Sequence, residues 1–115
     1  MSDRLTENFT RSEFACKCGC GFDDIDIRLV DMLQKVRDFF DAPITINSGC
    51  RCEEHNKSEG GSPRSQHLYG KAADFRVRNV PPSVVHEFCE TLNPGGLGYY
   101  ATFVHMDVRE GRARW

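Results

Sequence analysis

Three short stretches of this chain concentrate residues able to do chemistry. In Phe103-Val104-His105-Met106-Asp107-Val108-Arg109, apolar and polar residues alternate. The period of an extended strand puts Val104, Met106 and Val108 on one face and His105, Asp107 and Arg109 on the other. An imidazole, a carboxylate and a guanidinium on one face of a small sheet point to a cleft. In Ser65-Gln66-His67-Leu68-Tyr69-Gly70-Lys71-Ala72-Ala73-Asp74, His67 and Asp74 flank a glycine turn. Gly70 frees the backbone there, and Ala72 and Ala73 permit close packing. Taken together, two histidines and one aspartate form a donor set suited to a catalytic zinc, which leaves a fourth position for water. The third stretch is Ile46-Asn47-Ser48-Gly49-Cys50-Arg51, which ends in a guanidinium. Taken singly, His67 reads as a loop residue and Asp74 as a turn cap, so the case rests on the segments together.

The elements that must position these residues follow from spacing. Thr10-Arg11-Ser12-Glu13 reads as a capping box opening a short helical turn. Asp26 reads as an N-cap. Leu29, Val30, Leu33, Val36, Phe39 and Phe40 recur at helical spacing, predicting a helix over about 27–40 that Pro43 ends. Ile44-Thr45-Ile46-Asn47 and Ala72-Ala73-Asp74-Phe75-Arg76-Val77 read as strands. Residues 48–70 are polar and glycine-rich, the composition of a functional loop. Pro81-Pro82-Ser83 opens a second helix, which Asn93-Pro94-Gly95-Gly96 stops, and strands follow over 97–100 and 102–109. The expectation is one α+β domain over 1–115, with a small, mainly antiparallel sheet packed against two helices.

Composition sets outer bounds. The 115 residues are 39% hydrophobic and 28% charged, which fits a globular chain. Fifteen basic residues against seventeen acidic ones give a net charge of −2, which argues against a nucleic-acid partner. No apolar run is long enough to span a membrane. The opening Met1-Ser2-Asp3-Arg4-Leu5-Thr6-Glu7 lacks an apolar signal core, so synthesis in the cytoplasm with reduced thiols is expected. Six cysteines include Cys16-Lys17-Cys18-Gly19-Cys20 and Cys50-Arg51-Cys52. These C-x-C spacings depart from the C-x-x-C of zinc knuckles and signal a second, cysteine-bound zinc only weakly. A Cys50 nucleophile paired with His67 would leave the His105-x-Asp107 strand unexplained. His55 and His86 read as surface residues.

The ordered set Ser65-x-His67-x-x-Gly70-x-Ala72-x-Asp74, then His105-x-Asp107, resembles the zinc D-alanyl-D-alanine carboxypeptidase family, whose fold is shared with the hedgehog signalling domain. The Ser48-Gly49-Cys50-Arg51 segment resembles that family's Ser-Gly-Tyr-Arg, with Cys50 replacing the aromatic residue, and Arg112-Ala113-Arg114-Trp115 resembles its short, phage-associated branch. The resemblance implies that His67, Asp74 and His105 bind Zn2+. It implies that Arg51 holds the scissile carbonyl or a substrate carboxylate, that Ser65 hydrogen-bonds substrate, and that Asp107 orients a ligand histidine. Many relatives carry Glu or Asp three residues before the final histidine, where this chain has Thr102. A hydroxyl cannot take a proton from water near neutral pH, which leaves Asp107 as the nearest alternative base. The implied function is a monomeric zinc metallopeptidase that cuts peptide stems of peptidoglycan, as a carboxypeptidase or an endolysin-type endopeptidase, after phage-type release. The alternative is a zinc-stabilised module that binds cell-wall peptide or protein without cleaving it.

Overall fold

The computed structural model describes residues 3–115. Its spine is helix α1, Ile27–Phe40, capped by the Asp26 carboxylate, which accepts the Arg28 N–H at 2.9 Å. Leu29, Val30, Leu33 and Val36 are fully buried along the face that the spacing predicts. Five strands follow in one sheet: β1 Ile44–Ser48, β2 Ala72–Val77, β3 Gly96–Tyr99, β4 Val104–Asp107 and β5 Ala113–Arg114. Their spatial order is β1-β2-β4-β3-β5, antiparallel except for the β3–β5 pair. The short edge strand β5 has no counterpart in the sequence reading.

Alternation divides the sheet into two faces with different tasks. Ile46, Ala73, Phe75, Val77, Leu97, Val104 and Met106 join one hydrophobic cluster with α1 and with helix α3, Pro82–Thr91. The opposite face carries Asp74, His105 and Asp107. Asp74 and His105 are nonetheless buried, in a cleft that Arg51, residues of the 59–67 segment and Trp115 also line, and Asp107 is buried beside Arg109. That segment is not purely irregular. It holds a six-residue helix α2, Glu53–Ser58, and a 3-10 turn, Gln66–Tyr69. α2 has no apolar periodicity to betray it; its N-cap is the Cys52 sulfur, which accepts the His55 N–H. Gly70 ends the 3-10 turn at φ +67°, and an added Cβ would lie 2.1 Å from the Asp24 carbonyl oxygen. Only glycine meets both demands. The Asp26 N–H also donates to the Gly70 carbonyl at 2.7 Å, tying the start of α1 to the turn that carries His67.

Candidate metal centre

Asp74 and His105 are register partners on the adjacent strands β2 and β4. Their side chains therefore project side by side from the polar face. His67 enters from the 3-10 turn, whose start is capped by the Ser65 hydroxyl: Ser65 Oγ accepts the His67 N–H at 3.2 Å. The three residues are 2–9% exposed. Their donor atoms all fall within 4.8 Å of one another.

The protons on the two imidazoles are placed from outside the cluster. His67 Nδ1 lies 2.7 Å from the Gly49 carbonyl oxygen, and His105 Nε2 lies 2.7 Å from Asp107 Oδ2. Carbonyl and carboxylate oxygens only accept, so these two nitrogens carry the protons. The other two, His67 Nε2 and His105 Nδ1, then turn lone pairs on Asp74 Oδ1 from 3.3 and 2.9 Å. Three electron-rich atoms converging in a buried place require a cation between them or an extra proton on the rings. Neutral imidazoles and a carboxylate are the ligands zinc takes, and three protein ligands leave a coordination position open. The residues fit the ion that the sequence implies.

Electrostatics around the cluster are balanced by two arginines. Burial alone would raise the Asp74 carboxyl; with the extra proton on the rings, the hydrogen bonds and positive charge that His105 and His67 then offer outweigh it and hold Asp74 below the usual carboxylate range. Arg51 donates from Nη2 to Asp74 Oδ2 at 3.2 Å, from Nε to Ser48 Oγ at 2.9 Å, and from Nη1 to Asn56 Oδ1 at 3.3 Å. Asp107 is fully buried, and Arg109 grips it with Nε at 2.9 Å and Nη2 at 2.7 Å. Burial would raise this carboxyl too; His105 and Arg109 keep it low and ionised. Room for it is made by Gly96, its register partner on β3, where a Cβ would come within 2.2 Å of Asp107 Oδ2.

The cluster forms the floor of a cleft of about 590 Å³. Arg51, Ser65, His67, Asp74 and His105 line it, with Tyr100, Phe103 and Trp115 as an aromatic wall. Tyr100 and Phe103 stack at 4.4 Å, and Trp115 Nε1 donates to the Tyr100 hydroxyl at 2.7 Å. The sequence-derived candidate for the proton acceptor, Asp107, and the Thr102 that stands where many relatives carry an acid both lie elsewhere. Asp107 sits behind the His105 ring, against Nε2 rather than Nδ1, and does not line the cleft. Thr102 borders a separate pocket with Val80 and Val85. The carboxylates that do line the cleft are Asp74 and Glu59.

Other residues settle more simply. Cys50 is 1% exposed, and burial pushes its thiol up to about 12, which disqualifies it as a nucleophile. His55 pairs with Glu59 at 3.6 Å, and His86 lies against Tyr99, so neither reaches the cluster. Sequence reasoning missed Asn56, which is 3% exposed and bridges Arg51 to the Ser62 carbonyl oxygen. Its signal was the need of a buried guanidinium for acceptors. Glu59, in the polar loop, was equally invisible.

A profile of the family described as Peptidase M15 matches residues 7–107. Among curated proteins, the chain is 39% identical over 74 residues to the probable peptidoglycan L,D-endopeptidase MepK of Haemophilus influenzae, covering 58% of this chain and 40% of that protein. It is 30% identical over 97 residues to the peptidoglycan L,D-endopeptidase MepK of Escherichia coli K12, covering 76% and 53%. It is 37% identical over 78 residues to the zinc D-Ala-D-Ala carboxypeptidase of Streptomyces albus G, covering 63% and 30%. The chain thus spans about half or less of the length of these relatives.

Proposed function

Since the chain belongs to the Peptidase M15 family, we propose that it is a zinc-dependent peptidase acting, as a monomer, on the peptide stems of peptidoglycan. The observation that carries the reading is the convergence of two imidazole lone pairs and a carboxylate on the floor of an open cleft, beside a guanidinium. Zinc held there supplies a Lewis acid that polarises a peptide carbonyl and acidifies water. The protein's own part is positional. His67 and His105 present fixed tautomers, and Asp74 adds a single negative charge while its second oxygen holds Arg51. Arg51 spends three of its five N–H donors on Ser48, Asn56 and Asp74. The remaining two are available to a substrate carboxylate, or to a carbonyl oxygen as it gains charge. Asp107 holds the His105 proton on Nε2 and so keeps Nδ1 free for the metal. Ser65 shapes the ligand turn and borders the substrate space. The proposal extends to the place of action, the cell wall, reached by phage-type release.

A second reading, a zinc-stabilised module that binds wall peptide without cleaving it, draws on the position of Asp107 outside the cleft. Mass spectrometry of purified peptidoglycan after incubation with the protein separates the two and reads the bond. The expected result is released peptide fragments that vanish with chelator and return with zinc. Intact peptidoglycan in every zinc-replete digest would leave the binding module as the better account.

A further inference from the structure

A second cluster lies apart from the cleft and shares no residue with it. Cys16, Cys18, Cys20 and Cys52 bring four sulfur atoms within 4.8 Å of one another. Cys16 Sγ is 3.4 Å from Cys18 Sγ, which is 3.6 Å from Cys52 Sγ. A disulfide requires about 2.05 Å. Four sulfurs at zinc–sulfur distances of about 2.3 Å in a tetrahedron stand about 3.8 Å apart. The separations of 3.4 and 3.6 Å lie near that spacing and far from a disulfide bond.

The surrounding backbone is built for the same purpose. Gly19 and Gly21 adopt φ of +81° and +94°, and nothing crowds either α-carbon, so backbone shape alone calls for glycine. Those reversals fold the loop over, and the Cys16 N–H closes it onto the Phe22 carbonyl at 2.8 Å. Two backbone N–H groups point at sulfur: Cys52 N to Cys16 Sγ at 3.5 Å, and His55 N to Cys52 Sγ at 3.4 Å. Such donors offset the charge of metal-bound thiolates. The fourth ligand comes from far along the chain, next to Arg51. Main-chain bonds reinforce that junction, with Cys50 N donating to the Phe14 carbonyl and Arg51 N to the His67 carbonyl.

We infer that Cys16, Cys18, Cys20 and Cys52 hold a second, structural zinc ion, which clasps the N-terminal loop to the segment carrying Arg51. Four protein sulfurs fill a tetrahedral shell, so this ion has no open position and takes no substrate. The inference is independent of the peptidase reading, because the two ligand sets are disjoint.

The test uses the full chain, purified without chelator. Metal analysis should find about two zinc ions per chain, falling to about one in His67→Ala and to about one in Cys52→Ser. Cobalt replacement identifies the ligands. An intense sulfur-to-cobalt charge-transfer band should appear in wild type and persist in His67→Ala, but be absent from Cys52→Ser. The wild-type spectrum decides even if Cys52→Ser fails to fold. A cobalt-loaded wild type without that band overturns the inference. So does a mass lighter by the hydrogens of two disulfides with only one zinc bound. Loss of the cleft zinc alone in His67→Ala, with the band retained, would be a success here whatever the peptidoglycan digests show.

Discussion

Arg51 and Asp107 both touch the ligand cluster through a hydrogen bond, yet they do so from opposite sides. Arg51 faces the cleft, held on three acceptors, while Asp107 stands behind His105, sealed by Arg109. Their substitutions should therefore separate cleanly. Arg51→Ala should keep its zinc and lose roughly a hundredfold or more in hydrolysis, the scale of removing one donor to developing charge. Zinc content and turnover measured on one preparation check this, and unchanged turnover would take Arg51 out of the mechanism. Arg51→Lys should not restore the rate, because an ammonium cannot span Ser48, Asn56 and Asp74 with fixed planar geometry. Asp107→Asn should lower zinc affinity roughly ten- to a hundredfold, by loosening the His105 tautomer. Competition with a chelator of known affinity measures it, and added zinc should return much of the activity. A variant that binds zinc normally but is inert when saturated would instead place Asp107 in proton transfer.

Between residues and fold, the elements show what alternation and capping reveal and what they do not. Helix α1 forms where Asp26 and the spacing of Leu29, Leu33 and Val36 require, because both signals are local. The same holds within β2 and β4, whose period-two patterns set Asp74 apart from Ala73 and Phe75, and His105 and Asp107 apart from Val104 and Met106; the pairing of the two strands then puts all three on one face. The α+β class was legible for that reason; the His67, Asp74, His105 set was legible from its donor types and its resemblance to a zinc peptidase family, since His67 sits on a turn without a period. Helix α2 and strand β5 were not, since each is too short to carry a period and is made by its neighbours. The meeting of Cys52 with Cys16, Cys18 and Cys20 was hidden in the same way: the three N-terminal cysteines are close in sequence, but their partner is not. Gly70 was read as a tight turn, and the structure adds the reason that no side chain fits there. Gly70→Ala should cost about 1–3 kcal/mol by urea unfolding, through both the left-handed backbone and the clash with Asp24. It should also weaken zinc binding, since His67 hangs on that turn. Wild-type stability in this variant would mean the loop relaxes freely.

At the scale of the whole molecule, one hydrophobic cluster backs a sheet whose other face is given to polar chemistry. A fold this small has a narrow stability margin, and ions that bind only the folded chain widen it. The thermal midpoint should rise with free zinc, by about 1.4 kcal/mol of stability for each bound ion per tenfold increase once zinc exceeds that site's dissociation constant. Calorimetry across a zinc series, with chelator as the lower limit, measures it. A midpoint indifferent to zinc would count against metal in either cluster.

The pairing of Asp74 with His105 also has a bearing on time. The two residues are neighbours across the β2–β4 ladder but 31 residues apart along the chain. Contacts of that separation form late, because the loop between them must be closed first. No ligand pocket exists until the two strands have found each other, so the ion cannot guide their search. It arrives after the rate-limiting encounter and acts on the return journey. Zinc should leave the refolding rate almost unchanged and slow unfolding, so that the protein is long-lived, rather than quick to form, in the presence of its metal.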